Sequence, residues 1–139
     1  MSRAGTSPLR RGDRRLKLII AIAVGGALGS VARYLMALAV QTASGRQFPL
    51  GTLSVNVLGS FVIGLLYVWL LERAVASAEL RAFAFVGVLG GFTTFSSFSL
   101  ETFNLIAQSA YGRALANVAL SVVLCVGATW LGVALGRQL

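Results

Sequence analysis

The run Gly90-Gly91-Phe92-Thr93-Thr94-Phe95-Ser96-Ser97-Phe98-Ser99 sets paired glycines beside hydroxyls interleaved with phenylalanines. It lies inside an apolar segment long enough to cross a bilayer. In lipid, a loosened backbone and a row of hydroxyls persist only where they are buried in protein or line a watery path. Hydroxyls donate hydrogen bonds, and aromatic edges carry a weak positive potential. The chemistry on offer is therefore the handling of a small, hydrogen-bond-accepting ion.

Other polar residues repeat at helical spacing. Thr52, Asn56 and Ser60 recur at i, i+4 and i+8 and so share one helical face, with Gly59 and Gly64 keeping that helix slim. Asn117, Ser121 and Cys125 follow the same rule, with Thr129 one step further. Arg33 sits within the first apolar segment, where a charge is costly unless it faces protein or water, and no acid in that segment pairs with it. Glu101 is the only acid well inside a span. A path with neutral donors, an arginine and few fixed negative charges favours a small anion over a cation. Fluoride would suit amide, hydroxyl and ring-edge partners, although composition stops at "small anion".

The elements that must position these residues are membrane-spanning. The chain is 57% hydrophobic and 12% charged, against about 25% charged in soluble domains. Its 139 residues leave room for about four spanning helices and no soluble catalytic domain. Apolar segments cover 17–41, 50–71, 80–110 and 114–136. The third exceeds the length of a simple span, as expected of a helix interrupted in its middle, where the glycine pair weakens it. Residues 1–15 are expected to be a disordered basic tail and 16–139 a four-helix transmembrane domain. Gly25, Gly26, Gly29 and Ser30 give the first helix a smooth face for close packing. No internal repeat is evident.

The net charge of +8 is concentrated in Arg3, Arg10, Arg11, Arg14, Arg15 and Lys17, ahead of the first span. Next to a membrane, such a cluster sets orientation and touches anionic headgroups. It carries no aromatic partners and does not read as a nucleic-acid site. The apolar run behind it is too long for a signal-peptide core, so it is expected to remain as the first helix. Arg73, Arg81 and Arg137 fall on the same side as the tail and only Arg46 and Arg113 on the other, which predicts both termini in the cytoplasm. One cysteine excludes an internal disulfide, and the chain has no histidine. With no acid pair or metal-ligand cluster either, it does not read as an enzyme.

Three motifs in register carry a resemblance. Gly-Ser-Val-Ala-Arg-Tyr at 29–34, Gly-Thr-Leu-x-x-Asn-x-x-Gly-Ser-Phe at 51–61 and Gly-Gly-Phe-Thr-Thr-Phe-Ser-Ser-Phe-Ser-x-Glu at 90–101 closely resemble the Fluc/CrcB fluoride channels. The likeness covers the whole chain after the basic tail. It implies an all-α membrane protein with four transmembrane helices and a broken third helix. It further implies a dual-topology antiparallel dimer in the cell membrane, with two narrow fluoride pores along the interface and passive fluoride export as the activity. By motif position, Phe95 and Phe98 would present ring edges to fluoride and Asn56 its amide, while Ser96 and Ser97 would offer hydroxyls. Arg33 would stand near the wide entrance, and the fourth-helix polar track would fall on Asn117 and Ser121. A structural sodium ion would take backbone carbonyls from Gly90 and Thr93, where a glycine-loosened helix exposes oxygens that suit a hard cation. Glu101 is expected near the pore end. The one-sided arginine count departs from easy insertion in both orientations, which leaves a homodimer or an antiparallel heterodimer with a paralogue open. A proton-coupled exporter of the small multidrug type would need a membrane-embedded acid in its first helix, and none is present. A non-transporting assembly subunit would leave the aligned hydroxyls without a role.

Overall fold

The computed structural model describes residues 8–45, 47–73 and 76–139. The start of the basic tail, with Arg3, and the loop residue Arg46 lie outside the described residues. Five helices make four membrane crossings: α1 (Pro8–Ser44), α2 (Leu50–Glu72), α3 (78–92), α4 (Phe95–Ala107) and α5 (Tyr111–Gln138). α3 and α4 are the two halves of the third span, Ala78–Ala107, interrupted at Thr93 and Thr94. All four crossings are long and apolar enough to span a bilayer. The chain is a multi-pass membrane protein.

One expectation is corrected at the start. Residues 8–15 are not a disordered tail but the first turns of α1. Pro8 suits the first helical position because its fixed φ is already helical and its missing N–H has no partner there. The Arg, Lys and Leu residues that follow are good helix formers. The long apolar helix behind them supplies the nucleus, so extending it by two turns carries little further penalty.

Lipid tails are as apolar as leucine, so these helices associate by close packing and hydrogen bonds rather than by hiding apolar surface from water. α1 packs along α3, and α2 along α5. Glycines set both contacts. A Cβ on Gly91 would stand 2.6 Å from the Gly26 carbonyl oxygen, and one on Gly29 would collide with the Val88 carbonyl. In the second pair, Gly64 faces the Thr129 carbonyl and Gly132 the Phe61 carbonyl, with no room for a methyl at either. Gly90 and Gly91 are therefore not where the third span breaks. Both are helical, and the pair's second member serves the close approach to α1. Ahead of them, Ala82–Leu89 is wound wide with i→i+5 bonding, a form found mostly as single turns near functional sites.

The buried interior is thin and partly polar. Val55 is fully enclosed and Leu53, Val68, Leu89, Leu105 and Ala114 are buried, but Thr52, Thr94 and Asn117 are buried as well. At one end of the bundle Gln41 clamps the first connector: its amide donates to the Gly45 and Phe48 carbonyls, while its oxygen accepts from the Gly51 N–H at 3.1 Å. Arg113 ties the same loop to α5 through the Gln47 carbonyl. At the other end Arg137 pairs with Glu72 at 2.6 Å, and Arg73 reaches the Gly136 carbonyl at the close of α5.

Candidate ion pathway at the break in the third span

Thr94 organises the break. Its backbone is extended, and its side chain caps α4 by accepting from the Ser97 N–H at 3.2 Å. The same hydroxyl donates to Ser97 Oγ at 3.1 Å and lies 3.2 Å from Ser96 Oγ. A threonine three residues ahead of a serine is a recognisable cap signal, yet only the structure reveals Thr94 as a shared centre. Thr93 turns its hydroxyl back onto the Leu89 carbonyl at 2.9 Å and leaves the helix in an extended conformation.

Asn56 holds this break from the second span. Its Oδ1 accepts from the Thr94 N–H at 2.8 Å, and its Nδ2 donates to the Thr94 carbonyl at 2.9 Å. An amide has two N–H donors, so one remains for another acceptor. Helical geometry would have given the Thr94 N–H to the Gly90 carbonyl. Because Asn56 takes that donor, the Gly90 oxygen is released from its usual partner.

Two grooves meet at this point, and Thr94 lines both. The first, of ≈ 450 Å³, brings together Asn56, Phe95, Phe98, Ser121 and Cys125, with Gly90 and Thr93 at its edge. The Phe95 and Phe98 rings lie 5.3 Å apart at 47°, and Phe95 is 78% exposed on the isolated subunit. The second groove, of ≈ 420 Å³, gathers Ser30, Arg33, Thr52, Ser97 and Glu101 and runs toward the Gln41 end. Among the described residues Arg33 forms no ion pair with the Glu101 that shares its groove. Glu101 accepts from the Thr52 hydroxyl at 2.6 Å through one oxygen, while the other is buried without a partner.

The structure thus divides the residues singled out from sequence. Asn56, Phe95, Phe98 and Ser121 converge on one groove, and Arg33 and Ser97 on the other. Ser96 is exposed beside Thr94 and lines neither. Asn117 is 2% exposed and lines neither groove; it donates to Thr102 Oγ1 at 2.9 Å, which in turn donates to the Phe98 carbonyl. Cys125 lines the first groove rather than filling an apolar gap. Thr129 shares its hydroxyl between the Ser60 and Cys125 carbonyls, bonding α5 to α2. No cluster of metal-ligating side chains occurs among the described residues, so a cation here would rely on backbone oxygen.

A polytopic helical protein whose third span is broken where two grooves meet, with Asn56, Thr94 and Ser121 among their linings, is, by its architecture, a candidate for moving an ion across the membrane. Residues 20–133 match the family described as CrcB-like protein, Camphor Resistance (CrcB), and the chain belongs to that family. It is 48% identical over 122 residues to the fluoride-specific ion channel FluC of Coxiella burnetii (strain Dugway 5J108-111), an alignment covering 87% of this chain and 98% of that one. It is 52% identical over 121 residues to the protein of the same description from Geobacter sulfurreducens, again covering 87% and 98%. The Magnetococcus marinus relative, also described as a fluoride-specific ion channel, is 51% identical over 116 residues, covering 84% of this chain and 94% of that one.

Proposed function

We propose that this protein is a fluoride-selective channel subunit that gives the ion a passive route out of the cell. The observation that carries the reading is the convergence of Asn56, Phe95, Phe98 and Ser121 on one groove at the broken span, in a chain about half identical to fluoride-specific channels. Fluoride is small and holds its water tightly. A dry passage must replace that water with donors that cost no rearrangement when the ion arrives. The free Asn56 N–H, the Ser121 hydroxyl and the Phe95 and Phe98 ring edges are such donors. Ser96 and Ser97 supply further hydroxyls at the cap, and Arg33 raises the positive potential of the second groove.

The groove lies open along one side of the subunit, and Phe95 points outward. Polar groups such as the Asn56 amide and the Ser121 hydroxyl are costly when open to lipid, which supports a second subunit covering them. Two antiparallel copies, or this chain with an oppositely oriented paralogue, would do so. Asn117 supports the route from behind by holding Thr102 and, through it, the Phe98 turn. The Gly90 and Thr93 carbonyls fit a structural sodium ion, since hard cations take oxygen ligands and Asn56 frees the Gly90 oxygen. Bound there, sodium would supply a fixed positive charge that draws those carbonyls together.

Purified protein in liposomes is expected to release fluoride rapidly and retain chloride, read with ion-selective electrodes. Phe95→Ile and Phe98→Ile should each slow fluoride release at least tenfold, the loss of about 1.4 kcal/mol of transition-state stabilisation. Chloride release as fast as fluoride release would overturn the selectivity, and two fully active variants would remove the rings from the route.

A further inference from the structure

α1 carries exposed basic side chains directly before its apolar run, where the headgroup layer of a bilayer begins if the hydrocarbon edge falls at Leu18. Its apolar run begins at Leu18, directly after Arg14, Arg15 and Lys17. These three lie seven or more residues into the helix and are exposed. At 1.5 Å per residue they reach no more than about 6 Å beyond the hydrocarbon edge. The headgroup layer adds roughly 5–8 Å to each face of a bilayer. Because this stretch is helical rather than loose, the backbone holds these residues at that depth and only their side chains can reach outward.

Charge chemistry selects the occupant. Asp13 is the only acid in residues 8–17, against five basic residues, and it enters no ion pair among the described residues. Arg14 and Lys17, at i and i+3, share a face, and α1 contacts the start of α3, which carries Glu79. Arg81 follows two residues later. One carboxylate among these charges leaves net positive charge at this end of α1. Guanidinium groups match phosphate oxygens two at a time. We propose that Arg14, Arg15 and Lys17, exposed on helical α1 directly before its apolar run, form a binding site for the phosphate of an anionic phospholipid. The site is independent of the ion route, whose residues are all on other parts of the bundle.

The test uses the full chain in mixed micelles holding equal amounts of phosphatidylglycerol and phosphatidylcholine, with retained lipid counted by native mass spectrometry. The wild-type protein should retain phosphatidylglycerol preferentially and lose that preference at high salt. Arg14→Gln, Arg15→Gln and Lys17→Gln combined should reduce the preference by roughly tenfold or more, since each surface cation contributes severalfold. Arg14→Lys with Arg15→Lys should retain most of it. Fluoride release by the glutamine variant should stay at the wild-type rate, which separates this site from the channel reading. Equal retention of both lipids by the wild type, or an unaltered preference in the glutamine variant, would overturn the proposal. Displacement of the lipid by millimolar inorganic phosphate or by a short DNA duplex would also overturn it, by showing an unspecialised anion patch.

Discussion

Asn56 illustrates how one side chain sets a local structure. Both ends of its amide are engaged by the backbone of a single residue, Thr94, at 2.8 and 2.9 Å. Removing it leaves a buried donor and acceptor unmatched at the break, at a penalty of about 1–3 kcal/mol. Asn56→Ala should therefore raise hydrogen exchange at the Thr94 amide at least tenfold, read on a short peptide covering 93–98. Asn56→Asp keeps the acceptor for the N–H but loses the donor, so its exchange should fall between wild type and alanine. Unchanged exchange in the alanine variant would mean that the break holds itself. The spacing of four placed Asn56 with Thr52 and Ser60, and Ser121 with Asn117 and Cys125, on single helical faces; that Asn56, Phe95, Phe98 and Ser121 line one groove is seen only in the structure. The spacing missed the Thr52–Glu101 bond and the Asn117–Thr102 bond, since those depend on the rotation of one helix against another. Periodicity within a single helix says nothing about that rotation.

At the level of helices, the four crossings were legible from hydropathy and length alone. The cause of the interruption was not. Paired glycines invite the reading of a weakened helix, yet Gly91 is consumed by contact with Gly26, and the chain leaves the helix at Thr93 and Thr94. A glycine that loosens and a glycine that admits a neighbour look the same in one dimension. The same logic separates two glycines of α5. A methyl at Gly132 would meet the Phe61 carbonyl, whereas nothing lies within 4 Å of one at Gly127. Gly132→Ala should destabilise the protein by about 1–3 kcal/mol through overpacking. Gly127→Ala should be neutral or stabilising by up to about 1 kcal/mol through helix propensity. Thermal unfolding in detergent reads both, and equal effects would refute backbone-to-backbone packing of α2 on α5.

For the whole molecule, an even number of crossings puts both termini on one side, and the arginines and lysine beside α1 choose which. A reporter fused after Leu139 should register almost entirely in the cytoplasm. Comparable signal from both compartments would show that the charge bias is overridden and that one gene product supplies both orientations of a pair. A strongly one-sided signal would favour pairing with a paralogue. Thr94 carries a larger implication. It is the residue common to two grooves, one extending toward the Gln41 end and the other toward Ile63 and Val126 near the middle of their helices. Were water to enter both, the hydrocarbon would thin locally here, and more of the membrane voltage, worth about 2.3 kcal/mol per charge for each 100 mV, would drop near Thr94 than elsewhere along the bundle.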